Sequence, residues 1–469
     1  MKRSEAREYA WEDFGDARLG DARRTGRVVS MATAAYERPA GRVLQVFQTS
    51  ADRQGAYDFL ANRSCPAEAL VAALGQSTAR RCDGLSRAYA SVDGSSVSLV
   101  DRTGKKGFGR IGSTKSGGRG LKVVTAYAID PEGVPVGVLD QQWWARKSGR
   151  KRHNCHSRKL EDKETQHWIN ALQDSRDRVE EHAPHTQLCF LLDRENDRRH
   201  CLTWLGDSGA MYIVRSCFNR RLDAMDKRYL IEELGEVAAT HEYRLQVIGG
   251  PKRTARLAKM AVRTVRVRLR LRDQWRKKTE SFETTVVETR EEGTCPLGES
   301  PIAWRLLTNQ PVLTGANADE VIEAYALRWR IEEFHRTWKS GACNIEDSQL
   351  RDGPAMIKWA IIMAAAAARI ERIKVLSREQ PGLPASHVFN PYEVRAIILM
   401  KRKYKKRTET ISDAMPTLAQ ATYWLAELGG YTGKSSGGPP GSTNIRRGLD
   451  FIRPAAIAIE TIENEGKLR

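Results

Sequence analysis

Cysteine is scarce and scattered: eight residues in 469, at positions 65, 82, 155, 189, 201, 217, 295 and 343, with no CxxC pair. That spacing excludes a disulfide framework and suits a reducing compartment, where thiols act mainly as small apolar groups. His153, Cys155 and His156 cluster, but no second Cys/His pair lies near them, so a structural zinc site is not expected. Long apolar runs are missing as well. The longest uncharged one, Trp359 to Ala368, is ten residues between Lys358 and Arg369, too short to span a bilayer. Met1 to Glu8 has no apolar segment of the kind a signal peptide needs. A soluble, cytoplasmic protein with no membrane partner is the expectation. Acid is also in deficit, with 58 Asp+Glu against 77 Lys+Arg and a formal net charge of +19. The basic residues recur along nearly the whole chain. Such a field says little about fold, but it favours a polyanionic partner, most commonly nucleic acid.

What is present divides into three parts. The first 80 residues read as helices, with Asp21 as a helix cap and Arg23, Arg24 and Arg27 beyond it. Arg23 and Arg27 are one helical turn apart and share a face next to Arg24. From Ala88 the pattern changes to strands: Ala88 to Leu99, Leu121 to Ile129 and Val134 to Trp144, the last two joined by the turn Asp130-Pro131-Glu132-Gly133. A polar helix over Lys163 to Glu181 leads to Gln187 to Leu192, an apolar run of the kind that forms a central strand, ending in Asp193. A short helix and the strand Met211 to Ser216 follow. This order is that of a ribonuclease-H-like α/β core lacking its closing helix. Residues 220–300 interrupt it with a β-rich insertion, in which Val265 to Arg272 alternates apolar side chains with four arginines. After the strand Trp304 to Thr308, a helix from about Ala318 to Ser340 closes the core. The division read from these shifts is 1–80, 81–378 and 379–469. In the helical last part, Lys401 to Arg407 reads as a solvated or phosphate-contacting basic run.

Asp93 and Asp193 each fall at or just inside the end of a central strand, where a charge is costly unless something binds it. On neighbouring strands they would repel, and one would take a proton unless a cation neutralised them. A third carboxylate, Glu332 on the closing helix, completes an oxygen-rich set suited to Mg²⁺, with Mn²⁺ as the alternative. Two such ions about 3.5–4 Å apart can drive an in-line displacement at phosphorus. Tyr325, Arg328, Glu332 and Lys339, spaced by 3, 4 and 7, line one helix face. Cations flanking an acid in this way suit a phosphodiester held beside a metal. The neighbouring Glu333 points away and reads as a surface or salt-bridge residue. Gly107 to Gly112 satisfies GxGxxG, but a strand follows where a dinucleotide site needs a helix, so it reads as a basic loop.

Tyr-x2-Arg-x3-Glu-x6-Lys, together with Gln54 to Phe59, Trp143-Trp144, Asp193-Arg194-Glu195-x-Asp197, Val214 to Ser216, Trp304-x-Leu306-Leu307-Thr308 and Arg328 through Lys339, resembles the DDE transposases of the insertion-sequence-four type, in particular their transposon-five branch. The resemblance covers nearly the whole chain, more loosely in the C-terminal third and the insertion. It implies cut-and-paste transposition: cleavage of transposon ends through a hairpin intermediate, then joining of 3′-hydroxyls to target DNA by a homodimer pairing two ends. It further implies that Asp93, Asp193 and Glu332 form the catalytic metal-binding triad. Trp304 would stack on a flipped base, which leaves the duplex at a cost of a few kcal/mol. Tyr325, Arg328, Trp329, Lys339 and Arg215 would hold the distorted end, while Arg23, Arg24 and Arg27 would contact end DNA. Two other readings share part of this pattern: a purely hydrolytic nuclease of the same fold, which needs no flipped-base pocket, and a DNA-binding regulator without catalysis.

Overall fold

The alternating and apolar runs between Ala88 and Thr308 assemble into one sheet. The computed structural model describes residues 5–112, 117–146, 160–223, 228–251, 253–273, 278–433 and 438–466; His153, Cys155 and His156 lie outside them. The strands are β1 (Arg87–Ser98), β2 (Gly109–Arg110), β3 (Arg119–Ile129), β4 (Pro135–Trp144), β5 (Gln187–Leu192), β6 (Met211–Arg215), β7 (His241–Val247), β8 (Arg256–Arg272), β9 (Thr279–Glu292) and β10 (Ala303–Thr308). Their order is β2-β3-β1-β5-β6-β10-β9-β8-β7, with β4 also on β3. β1, β5 and β6 run parallel in the centre, and Ala90, Val92, Phe190, Leu191 and Leu192 are fully buried, as strands covered on both faces must be.

The insertion is not a separate sheet. β9 pairs along the whole of β10, from Ala303↔Arg290 to Thr308↔Thr285, so the inserted strands extend the central sheet. On β8, Val267, Leu269 and Leu271 are buried, while Arg266, Arg268, Arg270 and Arg272 face solvent, as the alternation required. In the GxGxxG stretch, β2 is followed by β3 rather than a helix.

Five helices precede the sheet: α1 (Glu5–Phe14), α2 (Ala22–Glu37), α3 (Val43–Val46), α4 (Ser50–Ala61) and α5 (Ala67–Cys82). Asp21 caps α2 by accepting from the Arg23 N–H at 2.8 Å. Within the core lie α6 (Thr165–His182), α7 (Arg199–Ser208), α8 (Leu230–Glu236), α9 (Gly315–Ala326) and α10 (Arg330–Lys339). The closing helix runs from α9 into α10 without leaving helical backbone, but it tightens between them. Leu327–Trp329 forms a 3-10 turn between α9 and α10, and Ser91 Oγ of β1 donates to the Arg328 carbonyl at 3.2 Å, pinning the turn to the strand that carries Asp93.

The run Trp359 to Ala368 belongs to α11 (Gly353–Glu379), which is longer than the run. It is long and apolar enough by composition to cross a membrane, but it is mostly buried inside the protein, as the core helix of a globular fold is. α11 is the axle of the molecule, with Trp359, Ile361, Ile362 and Met363 fully buried, each contributing about 1.5–3 kcal/mol. It also fastens the N-terminal helices to the core. Trp359 Nε1 donates to the Gly41 carbonyl at 2.8 Å, and the buried Lys358 ammonium to the Asn62 carbonyl at 2.9 Å. Beyond it come α12 (Pro391–Lys403), α13 (Leu418–Leu428) and α14 (Ser442–Gly466), packed around their own apolar cluster. The basic run there is not wholly solvated: Lys401 is buried and paired with Glu409 at 2.8 Å and Glu427 at 2.7 Å.

Candidate active site

Sheet register brings the first two carboxylates together. Val92 of β1 lies opposite Leu192 of the parallel β5, so Asp93 and Asp193 follow side by side. Asp93 is not at a strand end, however. β1 continues to Ser98, and Asp93 pairs with Thr125 of β3. It sits where the parallel neighbour stops, and the end of β5 opens one side of it. Asp193 caps a 3-10 turn: its Oδ1 accepts from the Glu195 N–H at 2.9 Å and from Asn196 Nδ2 at 3.2 Å. That loop is anchored by the fully buried Asp197, which pairs with Arg220 at 2.7 Å and accepts from the N–H groups of Cys217 and Phe218.

Glu332 enters from α10, just past the 3-10 turn. Burial, Asp193 and Glu332 together push the Asp93 carboxyl up to about 7, against the opposing pull of Arg328 and the Gly94 N–H. Three acids crowded so that one resists ionisation form a site that a divalent cation would relieve, and carboxylate oxygens are the hard donors such a cation prefers. Among the described residues, ligand atoms of Asp93, Glu332 and His335 lie within 4.8 Å of one another; Asp193 stands outside that tightest set. His335 was not anticipated, although its position three residues after Glu332 on a helix was a usable signal. Burial, with the Lys339 and Arg328 charges, pushes its ring down to about 3, so it is neutral at physiological pH.

Cations and aromatics surround the acids. Arg328 approaches Glu332 at 3.5 Å, and its buried Nη1 has no hydrogen-bond partner. Lys339 lies two turns beyond Glu332 and reaches Glu346 at 3.8 Å. Trp304, half-buried at the start of β10, packs edge-on against Tyr325 with centroids 5.2 Å apart, and Arg215 lies 5.7 Å over its indole ring. Trp329, in the 3-10 turn, is 57% exposed. The fold thus gathers Arg215, Trp304, Tyr325, Arg328 and Lys339 near the acids, three of them from the helix face that also carries Glu332, with Trp329 exposed on the 3-10 turn just before it. Glu333 takes the salt-bridge role, turned inward. Despite burial, Lys374 at 3.1 Å and Arg330 at 3.1 Å hold it below the usual carboxylate range.

Arg23, Arg24 and Arg27 lie on α2, away from this cluster. Arg23 is exposed and folds back on Asp21 at 3.1 Å. Arg24 donates to the Leu19 carbonyl at 2.9 Å, and Arg27 is exposed beside Gly55 of α4.

A ribonuclease-H-like sheet carrying an acid cluster ringed by cations defines a metal-dependent polynucleotidyl transferase. Three family models match the chain: "Transposase DNA-binding" over residues 6–65, "Transposase DDE domain" over 92–368, and "Transposase Tn5 dimerisation domain" over 365–462. The second spans more than half of the 469 residues, and the chain belongs to the DDE transposase family, in its Tn5-like branch. It is a DNA-binding, dimer-forming transposase that depends on divalent metal for cutting and joining DNA.

Proposed function

We propose that the protein performs cut-and-paste transposition: it binds the inverted repeats of its element, cleaves each end through a hairpin intermediate, and joins the 3′-hydroxyls to target DNA. The observation that carries this reading is the convergence of Asp93, Asp193 and Glu332 beside the Trp304–Tyr325–Arg215 cluster. A plain nuclease needs the acids but not an aromatic slot clamped by cations. Asp93, Asp193 and Glu332 are the residues to hold two Mg²⁺ ions, with Mn²⁺ able to substitute. When bound, such ions activate the attacking water or 3′-hydroxyl and neutralise charge on the leaving oxygen. The protein supplies position. Arg328 and Lys339 grip phosphate oxygens next to Glu332, and the unpartnered Nη1 of Arg328 leaves a donor free for that purpose. Trp304 receives the flipped base, with Arg215 and Tyr325 bracing the indole, and Trp329 stands at the edge of the gap. Arg23, Arg24 and Arg27 contact the end duplex.

The functional division follows 1–80 for end binding, 81–378 for catalysis and 379–469 for dimerisation, with α11 shared across the last boundary. The working unit is a synaptic dimer on two ends, acting in the cytoplasm at the nucleoid. The test is strand cleavage of a labelled duplex bearing the inverted repeat that flanks the gene, with Mg²⁺. Wild type should yield nicks, hairpins and double-strand breaks, and Glu332→Ala should yield none. Trp304→Ala should nick but form few hairpins. Nicking and breakage unaffected by Trp304→Ala would point to the hydrolytic reading. DNA binding without cleavage in wild type would point to a regulator.

A further inference from the structure

His335 lies one helical turn beyond Glu332 on α10 and is only 6% exposed. Its neighbours on the helix do not satisfy it. Phe334 and Trp338 pack their rings 5.6 Å and 6.3 Å from the imidazole, and the Trp338 N–H is already given to the Ala360 carbonyl at 2.9 Å. The Nε2 atom is buried and has no hydrogen-bond partner. A buried polar atom left unpaired costs about 1–3 kcal/mol, so its retention calls for a physical reason. One ring nitrogen stands within 4.8 Å of carboxylate oxygens of both Asp93 and Glu332. Two ligands of one divalent ion, each about 2.1 Å from it, are themselves separated by roughly 3–4.2 Å, so this gathering has the scale of a coordination shell.

We propose that His335 contributes a ring nitrogen to the cation held by Asp93 and Glu332. The inference rests on the metal site proposed above. A mixed oxygen and nitrogen donor set distinguishes the site from an all-carboxylate one. Mg²⁺ is strongly selective for oxygen, whereas imidazole nitrogen suits transition metals. The site should therefore prefer Mn²⁺ over Mg²⁺ more strongly than its carboxylates alone would, with Asp193, turned toward Asn196 and Glu195, left to serve the other side of the cluster.

The experiment uses the full-length protein without DNA and substoichiometric Mn²⁺ as the probe. Electron spin-echo envelope modulation of the bound Mn²⁺ should show coupling to ¹⁴N, converted to the ¹⁵N pattern when histidine is ¹⁵N-labelled. That measurement needs no variant. In folded His335→Gln, checked by circular dichroism, the coupling should vanish. Its Mn²⁺ Kd should weaken by about 10-fold or more, while Mg²⁺ competition changes much less. Glu332→Gln should remove Mn²⁺ binding altogether. Absence of nitrogen coupling in wild type, or coupling that survives His335→Gln, overturns the role of His335, provided that Glu332→Gln still abolishes binding. Mn²⁺ binding indifferent to Glu332→Gln would instead overturn the underlying metal site.

Discussion

Replacing Asp93 by Asn should make the metal-free protein more stable near pH 8, although it removes a group the chemistry needs. In the fold Asp93 titrates at about 7 rather than 3.8, because burial, Asp193 and Glu332 all oppose its charge. An acid whose folded pKa lies above its unfolded one stabilises the protein fully below the unfolded value, and that contribution is lost as pH rises through the folded value. At roughly 1.36 kcal/mol per pH unit, the gap sets a ceiling of about 4 kcal/mol. Asp93 keeps an edge to solvent, so the gain expected above pH 7 is about 1–3 kcal/mol. Asn is nearly isosteric and retains an oxygen to accept from the Gly94 N–H, now at 2.8 Å. Urea unfolding of both proteins in EDTA should show the variant ahead at pH 8. Its advantage should shrink steadily below pH 7 and disappear only below about pH 3, under the unfolded-state value of 3.8, where wild-type Asp93 is protonated in both states. Adding Mn²⁺ should reverse the order, since the ion relieves a repulsion that the variant no longer has. A variant no more stable than wild type at pH 8, or one whose advantage grows on acidification, would refute the idea that these carboxylates share one crowded site.

Two further outcomes follow from the framework behind the acids. Lys374 bridges Glu333 at 3.1 Å and the buried Glu371 at 2.5 Å, so Lys374→Met leaves the buried Glu371 without its cation and Glu333 with Arg330 alone. It should cost about 3–5 kcal/mol, read as a lower urea midpoint, with a smaller loss in the double variant Lys374→Met/Glu371→Gln. Asp197→Ala removes the partner of Arg220 and the acceptor for two backbone N–H groups. It should cost about 3 kcal/mol or more and, by loosening the Asp193 turn, reduce the rise in melting temperature that Mn²⁺ produces. An unchanged Mn²⁺ response would show that Asp193 is held without Asp197.

Local pattern carried much of the architecture. The alternation in Val265 to Arg272 places four apolar residues on the inward face and four arginines outward whatever the strand pairs with, because successive side chains of a strand point to opposite faces. An apolar run as short as Gln187 to Leu192, ending in a charge, announces a central strand with Asp193 at its mouth. Asp21 before Arg23 is a cap because a short acid can reach the first free N–H groups of a helix. Tertiary structure decided the rest. Helical spacing placed Tyr325, Arg328, Glu332 and Lys339 on one continuous face, but Leu327–Trp329 tightens to a 3-10 turn between α9 and α10, where Ser91 of β1 bonds the Arg328 carbonyl. Whether β9 would join β10 was a matter of partner choice between distant segments, which periodicity does not encode. Glu333 and His335 depended on what α11 and β1 pressed against α10: one became part of a partly buried ion pair and the other an unpartnered nitrogen beside the acids. Periodicity specifies which way a side chain faces along its own element. What waits there to meet it is set by the packing of residues hundreds of positions away.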